Sequence, residues 1–107
     1  MAAHWVFFTD LDGTLLDHST YQWTAARRAL QALRRRGSAL VIVTSKSRAE
    51  VWPLLRDLRR RDPFVVENGG AIYLPGDYFP FRMEGAEGVE KSWQRVALGT
   101  PRRRLVA

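Results

Sequence analysis

Asp10 and Asp12 stand two residues apart at the end of an apolar run, in the stretch WVFFTDLDGTLLD that spans residues 5–17. Side chains two apart in an extended segment point the same way, so both carboxylates can address one small site. Gly13 permits a tight turn directly after them, and Thr14 adds a hydroxyl. Two neighbouring carboxylates repel unless a cation offsets them. A hard divalent ion such as Mg²⁺, which takes a few carboxylates together with substrate oxygens, meets that need. A lone Asp after a strand also serves as a turn cap, and these residues by themselves leave both readings open.

A strand must carry this pair, and residues 4–9 form a short aromatic-rich run without the polar alternation of a half-exposed strand. Ser19 with Gln22 reads as a capping box. Trp23, Ala26, Leu30 and Leu33 then recur at helical spacing, which predicts an amphipathic helix up to the stop at Gly37. Residues 39–43 make a second apolar run rich in β-branched side chains, so strand, helix and strand follow one another and imply parallel pairing. Ser47 and Glu50 form a second capping box ahead of Val51, Leu54, Leu55 and Leu58, a helix expected to reach about Arg61. Pro53 falls beyond its first turn and predicts a kink or a start near Trp52. Residues 64–67 are the third strand, and the string ENGG turns the chain into a short strand over 71–74.

This alternation predicts an α/β fold, a doubly wound parallel sheet of three strands plus a short extra one, with ligands bound beyond the carboxyl ends of the strands. Residues 76–91 are rich in Gly, Pro and acids and read as loop or linker. Residues 93–98 suggest one more strand, and Pro101 the first turn of a helix.

Composition narrows the function classes. The 107 residues suit one small domain, and 46% hydrophobic content is that of a folding chain. With no cysteine there is neither a disulfide framework nor a thiolate metal site, which fits a cytoplasmic setting. No window approaches the roughly 18 apolar residues of a membrane span. The net charge of +6 rests on 15 arginines against two lysines, grouped at 34–36, 59–61 and 102–104. Cations favour the last turn of a helix, so these runs read as solvated helix ends, and no nucleic-acid partner is expected.

The full string DLDGTLLD after an apolar strand resembles the D-x-D-G-T signature of the haloacid dehalogenase superfamily, most of whose members are Mg²⁺-dependent phosphatases. The resemblance implies that Asp10 is a nucleophile forming an aspartyl phosphate and that Asp12 is the general acid and base. It also implies that Asp10 and the backbone carbonyl of Asp12 hold the metal, and that Thr44 binds the phosphoryl group through its hydroxyl. Residues 44–50 (TSKSRAE) and 63–81 are similar to the mannosyl-3-phosphoglycerate phosphatase subgroup, which carries an inserted cap domain. On that likeness the substrate is a phosphorylated sugar, with Thr14, Lys46, Asn68, Gly69 and Gly70 as candidate substrate-binding residues. A plain hairpin turn at NGG and a solvated Lys46 remain the structural alternatives.

Two motifs of that family are not seen after residue 81, the charge-balancing lysine and the acidic pair that completes the metal site. Lys91 is the lysine there, and Glu84, Glu87 and Glu90 do not follow an apolar strand. The expectation is an N-terminal part of a phosphatase, with a core portion over 1–81 and a linker and cap start over 82–107, inactive alone. A first strand without its neighbour is expected to be an exposed edge prone to self-association. The alternative from a different class is a non-catalytic basic module that binds an anion or a partner.

Overall fold

The computed structural model describes residues 5–16, 19, 22–81, 83–89 and 92–99. Its elements run β1 (Val6–Thr9), α1 (Arg27–Arg35), β2 (Ala39–Val43), α2 (Arg48–Leu58), β3 (Phe64–Val66), β4 (Ala71–Pro75), β5 (Ala86–Val89) and β6 (Trp93–Ala97). Single 3₁₀ turns occupy Thr24–Ala26 and Glu67–Gly69. The chain divides into two compact units after Val43.

In the first unit β1 and β2 pair in parallel, with Val6 opposite Ala39 and Thr9 opposite Ile42. This is the pairing that a strand, helix, strand crossover requires. Leu40, Val41 and Ile42 are buried, whereas β1 is exposed along most of its length. The helix between them starts later than the sequence suggests. Ser19 lies in a turn, Gln22 and Trp23 are not helical, and α1 begins only at Arg27. The start at Arg27, with Ala26 at the N-cap, has neither an acidic first turn nor a side-chain cap. Instead the Arg27 guanidinium lies over the Trp23 ring at 5.9 Å. The anticipated face survives, because Trp23, Ala26, Leu30 and Leu33 are all half-buried among exposed neighbours. Gly37 stops the helix at φ 65°, its amide bonded to the Arg34 carbonyl and that of Ser38 to the Leu33 carbonyl. That pattern is a Schellman cap, which glycine enters without steric cost.

The second unit is built around an antiparallel ladder. Phe64 faces Tyr73 and Val66 faces Ala71 across β3 and β4, so ENGG is a hairpin connection. β6 runs antiparallel to β4 from Trp93 opposite Pro75 to Ala97 opposite Ala71, and β5 adds beyond it. Residues 86–89, expected as linker, are therefore a strand. Glu87 and Arg95 sit opposite each other, and Arg95 Nη2 donates to Glu87 Oε2 at 3.1 Å. The strand expected over 93–98 is β6. The helix expected from Pro101, and the arginines at 102–104, lie outside the described residues.

α2 meets the ladder through Trp52, whose ring lies against Phe64 and Trp93, and through Arg48 over Tyr73; Val51, Leu55 and Leu58 of the helix are buried, as are Phe64, Val66, Tyr73, Leu74 and Trp93 of the strands. Each such fully buried side chain contributes about 1.5–3 kcal/mol. The helix is capped at Ser47 and runs unbroken through the exposed Pro53 to Leu58, so it does not begin near Trp52. The capping box fixes the start, and the buried stripe carries the helix past the one hydrogen bond that proline removes.

Candidate functional site

The segment after β1 is a compact loop. The Thr14 amide donates to the Leu11 carbonyl at 3.2 Å, that of Leu16 to the same carbonyl at 2.8 Å, and that of Gly13 to the Leu16 carbonyl at 2.9 Å. Gly13 has φ 77°, a value the third position of such a turn requires and most side chains resist. Leu11, Leu15 and Leu16 are buried and anchor the loop, while Asp10, Asp12 and Thr14 are exposed. The structure thus brings Asp10, Asp12 and Thr14 together on one short, internally bonded loop of the first unit. The Thr9 hydroxyl donates to the Asp10 carbonyl at 2.8 Å and fixes the backbone entering that loop.

The second unit brings together another set. Thr44 is buried, at 8% exposure, and its hydroxyl oxygen accepts the Lys46 amide at 3.1 Å. Its own amide donates to the Val65 carbonyl, and its carbonyl accepts from Asn68 at 3.0 Å. The Glu67 amide donates to the Lys46 carbonyl, also at 3.0 Å. Thr44, Lys46 and Asn68 are therefore held side by side by backbone bonds between the loop entering α2 and the turn leaving β3. Glu67, Asn68 and Gly69 all adopt positive φ, at 51°, 54° and 95°. Gly70 closes the turn, its amide reaching the Val66 and Glu67 carbonyls and its carbonyl accepting the amides of Leu98 and Gly99. A hydroxyl has one proton and two lone pairs, so Thr44 keeps its proton for donation after accepting from Lys46.

At the start of α2 the Ser47 amide donates to Glu50 Oε2 at 2.9 Å. This bond is the main reason that the Glu50 carboxyl is held below its ordinary value of 4.5. Arg48, which sequence reasoning did not single out, stands at the first helical position with its guanidinium over the Tyr73 ring at 5.7 Å. It shares the string TSKSR with Lys46. The stacking that orients it depends on Tyr73, 25 residues away in sequence and beyond the reach of any local signal.

A metal would find oxygen donors at the Asp10 carboxylate and the Asp12 carbonyl. Among the described residues no group of three or more His, Cys, Asp or Glu side chains comes together. The loop thus offers a partial set of hard oxygen ligands, of the kind Mg²⁺ takes when water and substrate complete its shell. No helix of the described residues is long and apolar enough to cross a membrane.

Residues 7–82 match the family model of haloacid dehalogenase-like hydrolases. The chain is 40% identical over 100 residues to a glucosyl-3-phosphoglycerate/mannosyl-3-phosphoglycerate phosphatase of Methanococcoides burtonii, an overlap covering 94% of this chain and 36% of that protein. It is 42% identical over 82 residues to a mannosyl-3-phosphoglycerate phosphatase of Pyrococcus furiosus, covering 77% and 33%. Among solved structures it resembles a haloacid dehalogenase-like hydrolase from B. subtilis, with TM-score 0.54, 29% identity and coverage of 63% and 24%. A hypothetical protein from Geobacillus kaustophilus superposes with TM-score 0.58 at 27% identity over 65% of this chain and 27% of that one. The chain spans about a third of the length of these curated relatives.

Proposed function

The chain belongs to the haloacid dehalogenase-like hydrolase family, and on that premise we propose that its residues supply the nucleophile side of a Mg²⁺-dependent phosphatase acting on a sugar-linked 3-phosphoglycerate. The observation that carries this reading is the Asp10–Leu16 loop, where buried leucines anchor a turn that leaves Asp10, Asp12 and Thr14 exposed. Its relatives' phosphatase names supply the substrate class.

In this mechanism Asp10 attacks phosphorus, and the bond from phosphorus to the C3 oxygen of the glycerate breaks as an aspartyl phosphate forms. Asp12 protonates the departing oxygen, then takes a proton from the water that hydrolyses the acyl phosphate. Thr44 donates its remaining hydroxyl proton to a phosphoryl oxygen, and Lys46 adds positive charge beside it. Mg²⁺, held by Asp10 and the Asp12 carbonyl with ligands from outside this set, would neutralise charge on the phosphoryl oxygens. Phosphoryl transfer is mostly positioning and electrostatics, so the 107 residues alone are expected to give at best a trace rate.

The test joins these residues to the remaining two thirds of a relative such as the M. burtonii phosphatase and quenches turnover with acid. Mass spectrometry should find phosphate bound to the peptide containing Asp10. A working hybrid that never carries phosphate there would sink the reading.

A further inference from the structure

A cavity of about 200 Å³ opens in the second unit, lined by Trp52, Leu55, Arg56, Arg60, Arg61 and Trp93. It does not belong to the Thr44–Asn68 cluster. Trp93 pairs with Pro75, beside the start of β3 where Phe64 faces Tyr73, whereas Asn68 follows the other end of that strand.

The walls are preformed. Trp52 meets Trp93 edge to face with ring centroids 5.0 Å apart, and Phe64 at 6.0 Å; Phe64 in turn stacks on Tyr73 at 5.3 Å. Such interlocked rings leave little conformational freedom to lose on binding. The charges around them are cationic and unevenly matched. Arg60 is taken by Asp62 at 2.7 Å. Arg61 lies over the Trp93 ring at 5.6 Å, and Asp77, at 3.7 Å, is a largely exposed partner for it. Arg56 has no acidic partner among the described residues. The run at 59–61, expected to be a solvated helix end, is thus partly folded back onto aromatic surface.

We infer that this cavity is a binding site for a small aromatic phosphate, such as a mononucleotide. The half-buried Trp52 indole and Leu55 offer apolar surface against which a ring can lie, and Arg56 and Arg61, which also line the cavity, match the phosphate oxygens with fixed donor forks. Neither half suffices by itself: exposed guanidinium pairs are individually weak in water, and a neutral ring leaves the cations unmatched. The volume lies below the usual range of drug-sized pockets, which limits the occupant to a ring with one anionic group in contact.

The 107-residue chain is titrated with adenosine monophosphate while tryptophan fluorescence is read, with inorganic phosphate and adenosine as separate arms. The nucleotide should saturate at about tenfold lower concentration than either fragment, and Arg56→Gln should raise its midpoint about tenfold. Arg61→Gln, checked for an intact fold by circular dichroism, should do the same if Arg56→Gln fails to fold. Asp10→Asn should leave the midpoint where it was. The proposal is overturned if the nucleotide does not saturate, if phosphate alone binds as well, if both arginine variants bind like the parent, or if Asp10→Asn abolishes binding.

Discussion

The backbone amide of Asn68 donates to the carbonyl of Thr44 at 3.0 Å, so the turn that leaves β3 holds in place the residue that follows β2. That bond depends on an uncommon backbone, with Asn68 at φ 54° and ψ 38° directly after Glu67 at φ 51°. Asparagine tolerates the left-handed region, where other side chains with a Cβ cost about 1–2 kcal/mol. Asn68→Ala should therefore destabilise the folded chain by about 1 kcal/mol and Asn68→Gly by much less. Urea denaturation of the two variants beside the parent checks this. Equal losses would point to the asparagine side chain rather than to backbone strain.

The start of α2 should respond to acid. Glu50 accepts the Ser47 amide, and that bond holds its carboxyl below 4.5. A group whose folded pKa is depressed contributes stability above its unfolded value and loses it as pH falls through the folded one. Stability from this cap should be complete above about pH 5 and fade as the pH drops below 4.5. Gln at the same position can also close a capping box and does not titrate. Glu50→Gln should thus remove this part of the acid sensitivity, read from denaturation midpoints at pH 6 and pH 3.5, and an unchanged slope would discount the cap.

Most of the scaffold was legible because its signals are local. The apolar run at 39–43 is β2 to the residue, the capping box at Ser47 and Glu50 starts α2, and Gly37 ends α1. The candidate site was legible only within each loop: the spacing of Asp10, Asp12 and Gly13 is a local pattern, but the bonds from Glu67 and Asn68 to Lys46 and Thr44 join segments over 20 residues apart. β5 was missed for a related reason. Gly85, Gly88 and two glutamates make 84–89 read as loop, and what holds the strand is its ladder with β6 and the pair between Glu87 and Arg95. The delayed start of α1 shows the converse error: a pattern at Ser19 and Gln22 stands ahead of a 3₁₀ turn at Thr24–Ala26, and the α-helix begins only at Arg27.

The first strand should drive self-association. Trp5, Val6, Phe7 and Phe8 are 64%, 52%, 40% and 70% exposed, and among the described residues no strand lies beyond β1. A long apolar edge with open backbone groups is a template for another strand. Phe8→Lys places a charge at the most exposed of these positions, where loss of the ring should change stability by no more than about 0.5 kcal/mol. Sedimentation velocity should show concentration-dependent oligomers for the parent chain and a shift towards monomer for Phe8→Lys. A parent that stays monomeric at all concentrations would contradict the expectation.

Turnover in the completed phosphatase should separate the roles of Asp10, Asp12 and Thr44. Uncatalysed phosphate-monoester hydrolysis needs up to ~10²¹-fold acceleration, so several positioned groups must each contribute. In the proposed mechanism Asp10 is the nucleophile and Asp12 the proton donor, so Asp10→Asn should abolish activity and Asp12→Asn should slow it strongly. Thr44 accepts the Lys46 amide at 3.1 Å and has one proton left to give. A hydrogen bond to a charged phosphoryl oxygen is worth about 1.5–3 kcal/mol, so Thr44→Ala should lower kcat/KM by roughly ten- to a hundredfold. Thr44→Ser keeps both the acceptor and the donor and should recover most of that loss. If serine were as damaging as alanine, the hydroxyl would not be what Thr44 contributes, and its part would reduce to filling the buried space between the two loops.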